Sequence, residues 1–586
     1  MVNPKNFIPM VQKSTSYFYE HGTGHPYILS PNAFSSMVNL RVLNISSEYF
    51  INEFKSGCFN GLDNLEELNV CLCELDKIEN EHVFSSLKNN LKKLKLTDRR
   101  DTKLKSNLFS SLSNLVELKL WNTLITEMDE NSFEGLVNLQ YLLIGLSSIR
   151  SNCFRGLTSL KELTIMGFGM RNIEASAFHG LENLVKLDLS FSELKELGPN
   201  IFDGLSNLKH LDLKESQITQ INKNAFNGLF NLEILNLSKI NIEILNEDVF
   251  LDLKNLKQLY LDNFSPTEIE GNPFKSFTNL EVIHANGNFF ENKLNNMISY
   301  NCFKNLKEIG LQNKVSINLI SSIKNDEIFG IKSLCLNSNH IHKLYDEYFN
   351  GLERLTKLVL SSSNIKVIES SVFNNMINLE HLDLSNCKLN LTQDHANLFK
   401  NLTKLQYLNL SENITFKLDS QSFGDLINLK HLLMNNTPIT KIEDGLFYNL
   451  ANLEKLDLSN ICTKISISIK SNKFQGLNNL KILNLKGNMI VNISEHAFRH
   501  LKSLIHLNLS ECQVKNVHQS AFSDLSKLEI LDLSFNCIEE MNETYFSDLI
   551  NLKEINFNKN PFIYNYEDIL KFYNSLNVKN LSLVID

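Results

Sequence analysis

The tetrad L-x-x-L-x-L returns about every 24 residues, from Leu40 to the end of the chain, 22 times in all. Clear copies are Leu184-x-x-Leu187-x-Leu189, Leu208-x-x-Leu211-x-Leu213 and Leu528-x-x-Leu531-x-Leu533. Side chains alternate across an extended strand, so the leucines of one tetrad face one way and the residues between them the other. A strand this short buries its apolar side only against another copy of itself. The period therefore predicts a solenoid of stacked turns, with one parallel strand per turn on the concave side.

A second landmark is a phenylalanine, usually six residues before each tetrad, within F-x-G/D-L-x-N-L; Phe133, Phe178, Phe202, Phe226, Phe373, Phe423, Phe498 and Phe522 are examples. These rings are expected to meet on the convex side as a second buried ladder. That accounts for 38 phenylalanines against one tryptophan without any ligand. The ninth position of each unit carries Asn at Asn288, Asn339, Asn413, Asn488, Asn536 and Asn560, where the amide bonds turn backbone. Thr123, Ser192, Ser216, Ser363, Cys387 and Cys512 stand in elsewhere. Phe168, Ile240, Phe264 and Ile461 cannot hydrogen-bond there, so the ladder is patchy and that backbone needs other partners. The fold class expected is an α/β leucine-rich repeat solenoid, a horseshoe with an irregular or short-helical convex face. Residues 1–34 read as a cap or degenerate repeat, 35–559 as the solenoid and 560–586 as a cap-like segment.

Bulk properties exclude several functions. The net charge of −9 argues against a nucleic-acid footprint. No apolar run reaches the roughly 18 residues of a spanning helix, so no membrane insertion by this chain is expected, and the first residues lack an apolar signal core. Of the ten cysteines, Cys58, Cys153 and Cys302 precede a spine phenylalanine, and Cys73, Cys387 and Cys512 occupy the ladder position. Buried free thiols account for that register. A structural bridge is the alternative, with Cys71-x-Cys73 the leading pair.

Motifs for phosphate loops, dinucleotide binding, zinc proteases and serine hydrolases are all missing. His340-x-His342 reads as a surface turn, and no cofactor, metal or enzymatic activity is expected. A dozen N-x-S/T sequons occur, Asn44, Asn236, Asn390, Asn413, Asn492 and Asn542 among them. They are glycan acceptors in a secreted chain, or a by-product of the L-N-L-S repeat seen at Asn236, Asn409 and Asn508.

The pattern L-x-x-L-x-L-S-x-N-x-I-x-x-I-x-x-x-A-F-x-G-L, nearly intact at Leu504–Leu525 and Leu528–Leu549, resembles the typical class of extracellular leucine-rich repeats. Toll-like receptor and chaoptin-like ectodomains share it. Asn560-Pro561-Phe562-Ile563-Tyr564-Asn565-Tyr566 is similar to the start of a Toll-like receptor C-terminal cap, with Tyr564 and Tyr566 where that family has cysteines. Cap disulfides cannot form, and these tyrosines with Phe572 are expected to cover the last rung, beside a helix over Asp568–Ser575. The resemblance implies a recognition module that binds a protein or microbial ligand on its concave face, with homodimerisation, at the cell surface or outside the cell. The alternative is an intracellular scaffold, adaptor or inhibitor, which the missing signal and cap cysteines favour.

The residues between the tetrad leucines select a site. Most are ordinary polar groups such as Asp188, Asp212, Asp383, Asp457 and Asp532. Trp121, Tyr141, Leu143 and Met166 break that pattern on three consecutive strands, with Lys93, Lys95 and Lys119 beside them. An exposed apolar cluster that includes Trp and Tyr is a candidate binding hot spot; irregular packing near the short step from Leu139 to Leu160 is the plainer reading. His210, Tyr260 and His284 form a milder candidate. Two irregularities, Leu280 to Ile331 with the loop Asn288–Tyr300 and early Phe303 and Phe329, and the insertion Thr463–Lys473, bend the solenoid, face a partner or reflect drift.

Overall fold

The computed structural model describes residues 27–562 except 46–50, 72, 74, 79, 81, 98–100, 130, 168, 287–304, 313–329, 340, 393–394, 440–441, 462–468, 471 and 542, together with strands Ser16–Tyr19 and Ser582–Leu583. The expected loop at 288–300, Phe303, Phe329, His340, most of the 463–473 insertion and the cap residues 563–581 lie outside the described residues. The chain divides into two units, Met1–Phe289 with Lys293–Asn305, and Phe290–Asn292 with Leu306–Asp586.

Each tetrad carries one short strand, from Val42–Ile45 to Glu554–Asn556, and successive strands pair in parallel within each unit. Register is set by the leucines. Lys186 faces His210, Leu187 faces Leu211 and Asp188 faces Asp212. Leu184, Leu187 and Leu189 are fully buried, each contributing roughly 1.5–3 kcal/mol. Lys186 and Asp188, between them, are half-buried and point outward. The strand Ser16–Tyr19 pairs with Val42–Ile45, and Ser582–Leu583 pairs with Glu554–Asn556, adding a rung before the first tetrad and after the last.

The convex side is almost entirely turn. Among the described residues there is no α-helix, only short 3-10 segments such as Asp346–Phe349 and Glu543–Phe546. The phenylalanine spine lies beneath. Phe178, Phe202, Phe226 and Phe250 stack with centroids 6.2, 6.0 and 5.8 Å apart. In the second unit Phe474, Phe498, Phe522 and Phe546 stack 6.0 Å apart. Gly135 has φ +90°, and a Cβ there would lie 2.3 Å from the Ser110 carbonyl of the preceding turn, so the glycine of F-x-G-L permits close stacking.

Three rows of polar side chains close the turns. In the first, Asn536 donates to the carbonyls of Leu509 and Leu533 at 2.8 and 2.9 Å, and accepts from the Cys512 and Val514 amides at 2.9 and 3.0 Å. Cys512, in the same row, donates its thiol to the Leu485 carbonyl at 3.0 Å, as Cys387 does to Leu360. In the second row the asparagine of L-x-N-L reaches one repeat back. Asn183 donates to Thr158, Asn207 to Glu182 and Asn452 to Ile427, at 2.9, 2.8 and 2.9 Å. In the third, Asp188, Asp212, Asp383, Asp457 and Asp532 each accept the amide two residues on, at 2.9–3.0 Å. The acidic residues of the concave face, which the sequence presents as free polar groups, are turn-forming residues of the Asx type.

Candidate functional site on the concave face of the first unit

Four neighbouring strands, Lys93–Thr97, Glu117–Met128, Tyr141–Leu146 and Glu162–Met166, bring all seven candidate residues onto one face. The register arranges them in three rows. Lys93, Glu117, Tyr141 and Glu162 form the first. Lys95, Lys119, Leu143 and Thr164 form the second. In the third, Thr97 pairs with Trp121, and Gly145 pairs with Met166.

Trp121 stands where the ladder breaks. Its strand runs 12 residues, and the register to Tyr141–Leu146 shifts between Leu120 and Ile125. Leu120 still pairs with Ile144, so Trp121 and Gly145 are each one residue beyond that pair. The glycine leaves a floor without a side chain between Trp121 and Met166. Trp121 is 48% exposed and Tyr141 40%, whereas Leu143 and Met166 are half-buried. The phenylalanine stack breaks at the same repeat: Phe84 stacks on Phe109 and Phe133 on Phe154, but among the described residues no ring contact joins Phe109 to Phe133.

The sequence reading misses Glu117. It lies between the lysines, 3.8 Å from Lys93 Nζ and in contact with Lys119 Nζ. Only the pairing register reveals this, because Lys93 and Glu117 are one repeat apart. Beside Tyr141, a groove of about 550 Å³ runs along the strand starts, lined by Asn138, Gln140, Ser159, Lys161, Asn183, Val185, Asn207 and Lys209. Its lining holds amides and amines but no carboxylate or histidine to pair as acid and base.

The milder histidine–tyrosine candidate divides. Tyr260 meets His284 edge-on at 5.1 Å, in the second row. His210 is in the first row, two strands from Tyr260, and burial, then Lys186, hold its imidazole below the usual value. A comparable set on the second unit goes unnoticed in the sequence. His381 stacks on Tyr407 at 4.1 Å and 3°, and Tyr407 meets His431 edge-on at 6.2 Å. Three aromatic residues at one repeat position are the signal that would have found them.

The eight described cysteines, Cys71 and Cys73 included, form no disulfide with one another. Burial pushes the thiols of Cys153, Cys387 and Cys512 up to about 12 and that of Cys335 to about 11, leaving them protonated. They pack as small apolar groups rather than nucleophiles.

A parallel strand per repeat, a leucine core and a phenylalanine spine define a leucine-rich repeat protein. The profile of the BspA-type leucine rich repeat region matches six times, over residues 27–161, 126–257, 171–310, 287–396, 342–467 and 440–579, and the chain belongs to that family. No curated protein matches it. Many solved structures share the fold, two of them as follows. The TLR13–ssRNA13 complex is 21% identical with a TM-score of 0.59, covering 93% of this chain and 92% of that one. The mouse RP105/MD-1 complex is 21% identical with a TM-score of 0.58, covering 86% and 92%. Among the described residues no helix is long and apolar enough to cross a membrane.

Proposed function

We propose that this protein is a non-enzymatic recognition module that holds a protein or microbial ligand against the concave face of its first unit. The observation that carries the proposal is the exposure of Trp121 and Tyr141 on adjacent strands, next to Lys93, Lys95 and Lys119. Aromatic anchors ringed by polar groups are the composition of a binding centre. Lys93 and Lys119 share Glu117, so they offer a rim of fixed charge to an incoming polar group. A solenoid adds reach, because its rungs present one long surface.

The two similar structures are complexes, one with RNA and one with a protein. A net charge of −9 favours a protein partner over a polyanion for this chain. On this reading the module works at the cell surface or in the extracellular space, and strands Ser16–Tyr19 and Ser582–Leu583 supply its end rungs. Self-association through the same face is a second mode of use.

The test is comparative capture. The intact chain, the double variant Trp121→Ala/Tyr141→Ala and the control Tyr448→Ala are immobilised and exposed to the protein's own extracellular fluid. Tyr448 is 61% exposed and lies in the second unit, away from the concave strands. Loss of the bound species with the double variant alone supports the assignment. Equal capture by all three folded proteins sinks it.

A further inference from the structure

Sequons are frequent in this chain, but the structure treats their asparagines in two opposite ways. Asn413 is 5% exposed and is a turn-ladder residue. Its amide donates to the carbonyls of Leu384 and Leu410 and accepts from the amides of Cys387 and Leu389. Asn236, Asn409 and Asn508 are half-buried on the concave strands, where each accepts the amide of the serine two residues on. The side-chain nitrogen of Asn236 is committed as well, donating to Asp212 at 3.3 Å. Asn435 is half-buried and accepts the Ser411 hydroxyl at 2.6 Å, and its sequon threonine, Thr437, is fully buried.

Asn390, Asn401 and Asn492 are different. All three are exposed and lie in the second unit. Asn390 and Asn492 open the short strands Asn390–Leu391 and Asn492–Ile493 that follow the turn, off the concave sheet, and each strand buries only its second residue. Asn492 accepts from Asn516 through its oxygen, which leaves the nitrogen outward. Asn401 sits in the turn after Phe399 with φ +67°, and its side-chain nitrogen makes one long, exposed bond, 3.4 Å, to the Asn374 carbonyl.

We propose that Asn390, Asn401 and Asn492 are N-glycan acceptors, and that Asn413, Asn236, Asn409, Asn435 and Asn508 stay bare in the folded protein. This rests on the extracellular reading above. The co-reactant is a lipid-linked oligosaccharyl pyrophosphate. The amide nitrogen forms a bond to C1 of the first sugar and loses one proton, while the C1–O bond breaks and the lipid pyrophosphate departs. Transfer precedes folding, so selection acts afterwards. A chain with a sugar on Asn413 cannot make that residue's four turn bonds, whereas a sugar on Asn390 displaces nothing. The glycans would then lie off the concave sheet of the second unit.

The experiment has two arms, both using the full chain: protein secreted from eukaryotic cells behind an added leader, and protein from its source cells. Each is deglycosylated enzymatically in heavy-oxygen water and mapped by peptide mass, which marks occupied asparagines as labelled aspartates. The expected label is on Asn390, Asn401 and Asn492 in both arms, with none on Asn413, Asn236, Asn409, Asn435 or Asn508. Substituting Asn390→Gln, Asn401→Gln and Asn492→Gln singly is expected to remove one glycan step each on a gel. Label on Asn413 of the folded, secreted chain overturns the assignment, as does absence of label from the three in that arm. Label in the secreted arm with a bare chain from the source cells overturns the extracellular reading and modification in vivo together, while leaving the geometry of the three positions intact.

Discussion

The described turns closed by a ladder asparagine all lie in the second unit, interspersed there with Ser363, Cys387, Thr437, Ile461 and Cys512. In the second, Asn339, Asn413, Asn488, Asn536 and Asn560 each donate to a carbonyl of their own repeat and one of the repeat before. In the first, Ser192 donates to Ser216, which donates to the Leu189 carbonyl, and Ile240 and Phe264 fill the row with apolar side chains. An amide carries two N–H donors and an accepting oxygen, so it ties a turn to both neighbours; a hydroxyl has a single hydrogen to donate. The unit with the weaker ladder also holds the 12-residue strand and the exposed Trp121. Local rules are most often broken where a protein uses its surface, and the extended strand and the register shift both fall at the repeat of Trp121.

The contrast is best broken at its strongest point. Asn536→Ala strands two buried carbonyls and two buried amides at about 1–3 kcal/mol each, and a loss on the order of 3–5 kcal/mol is expected. Ser216→Ala, at the equivalent position of the first unit, is expected to cost about 1 kcal/mol. Denaturant unfolding of both variants measures the difference; equal losses would mean that the two ladders are equivalent. Next in size, Trp121→Ala with Tyr141→Ala removes at least about 2 kcal/mol of partner affinity, while stability changes by no more than about 0.5 kcal/mol because both side chains are exposed. Thiol reactivity sharpens the picture further. At pH 8 the folded chain is expected to alkylate at Cys537, which is exposed, and not at Cys387 or Cys512, whose thiols are buried and held near 12. Rapid labelling of Cys512 would show that its turn opens.

The smallest effect concerns Asp212. Burial, and then the charge of Asp188, raise its carboxyl above the ordinary value of 3.8. A raised carboxylate means that the folded state binds more protons than the unfolded one between the two values. Its contribution to stability therefore improves as pH falls from the raised value toward 3.8, and worsens as pH rises through that window. Asp212→Asn keeps the turn, as Asn236 does in the next repeat, and is expected to flatten this dependence and gain up to about 0.5 kcal/mol at pH 7. Thermal unfolding at several pH values checks it, and an unchanged slope would assign the dependence to another group.

The leucines and phenylalanines were legible because side-chain period alone decides which face they take. Leu187 and Phe202 needed no neighbour to be placed. The polar rows were only half legible. Asn536 stands out by its position after the tetrad, but Asn183 and Asn207 pass for ordinary turn residues, since nothing local reveals a carbonyl 25 residues earlier. Asp188 passes for a free surface acid because its bond to the Ser190 amide depends on the turn it helps to form. At the site, Trp121 is conspicuous by type, whereas Glu117 gains meaning only once the register sets it against Lys93 and Tyr141.

Trp121 is the single tryptophan of the chain, so its emission reports on the proposed binding face without any label. The most direct test is a fluorescence titration of the intact protein with the species that it captures from extracellular fluid, followed by acrylamide quenching. Recognition through this face predicts a blue shift on binding and a lower quenching constant, both absent when the same species is added to Tyr141→Ala. A partner that binds at full affinity while Trp121 emission and quenching stay unchanged would place recognition elsewhere on the solenoid and contradict the assignment.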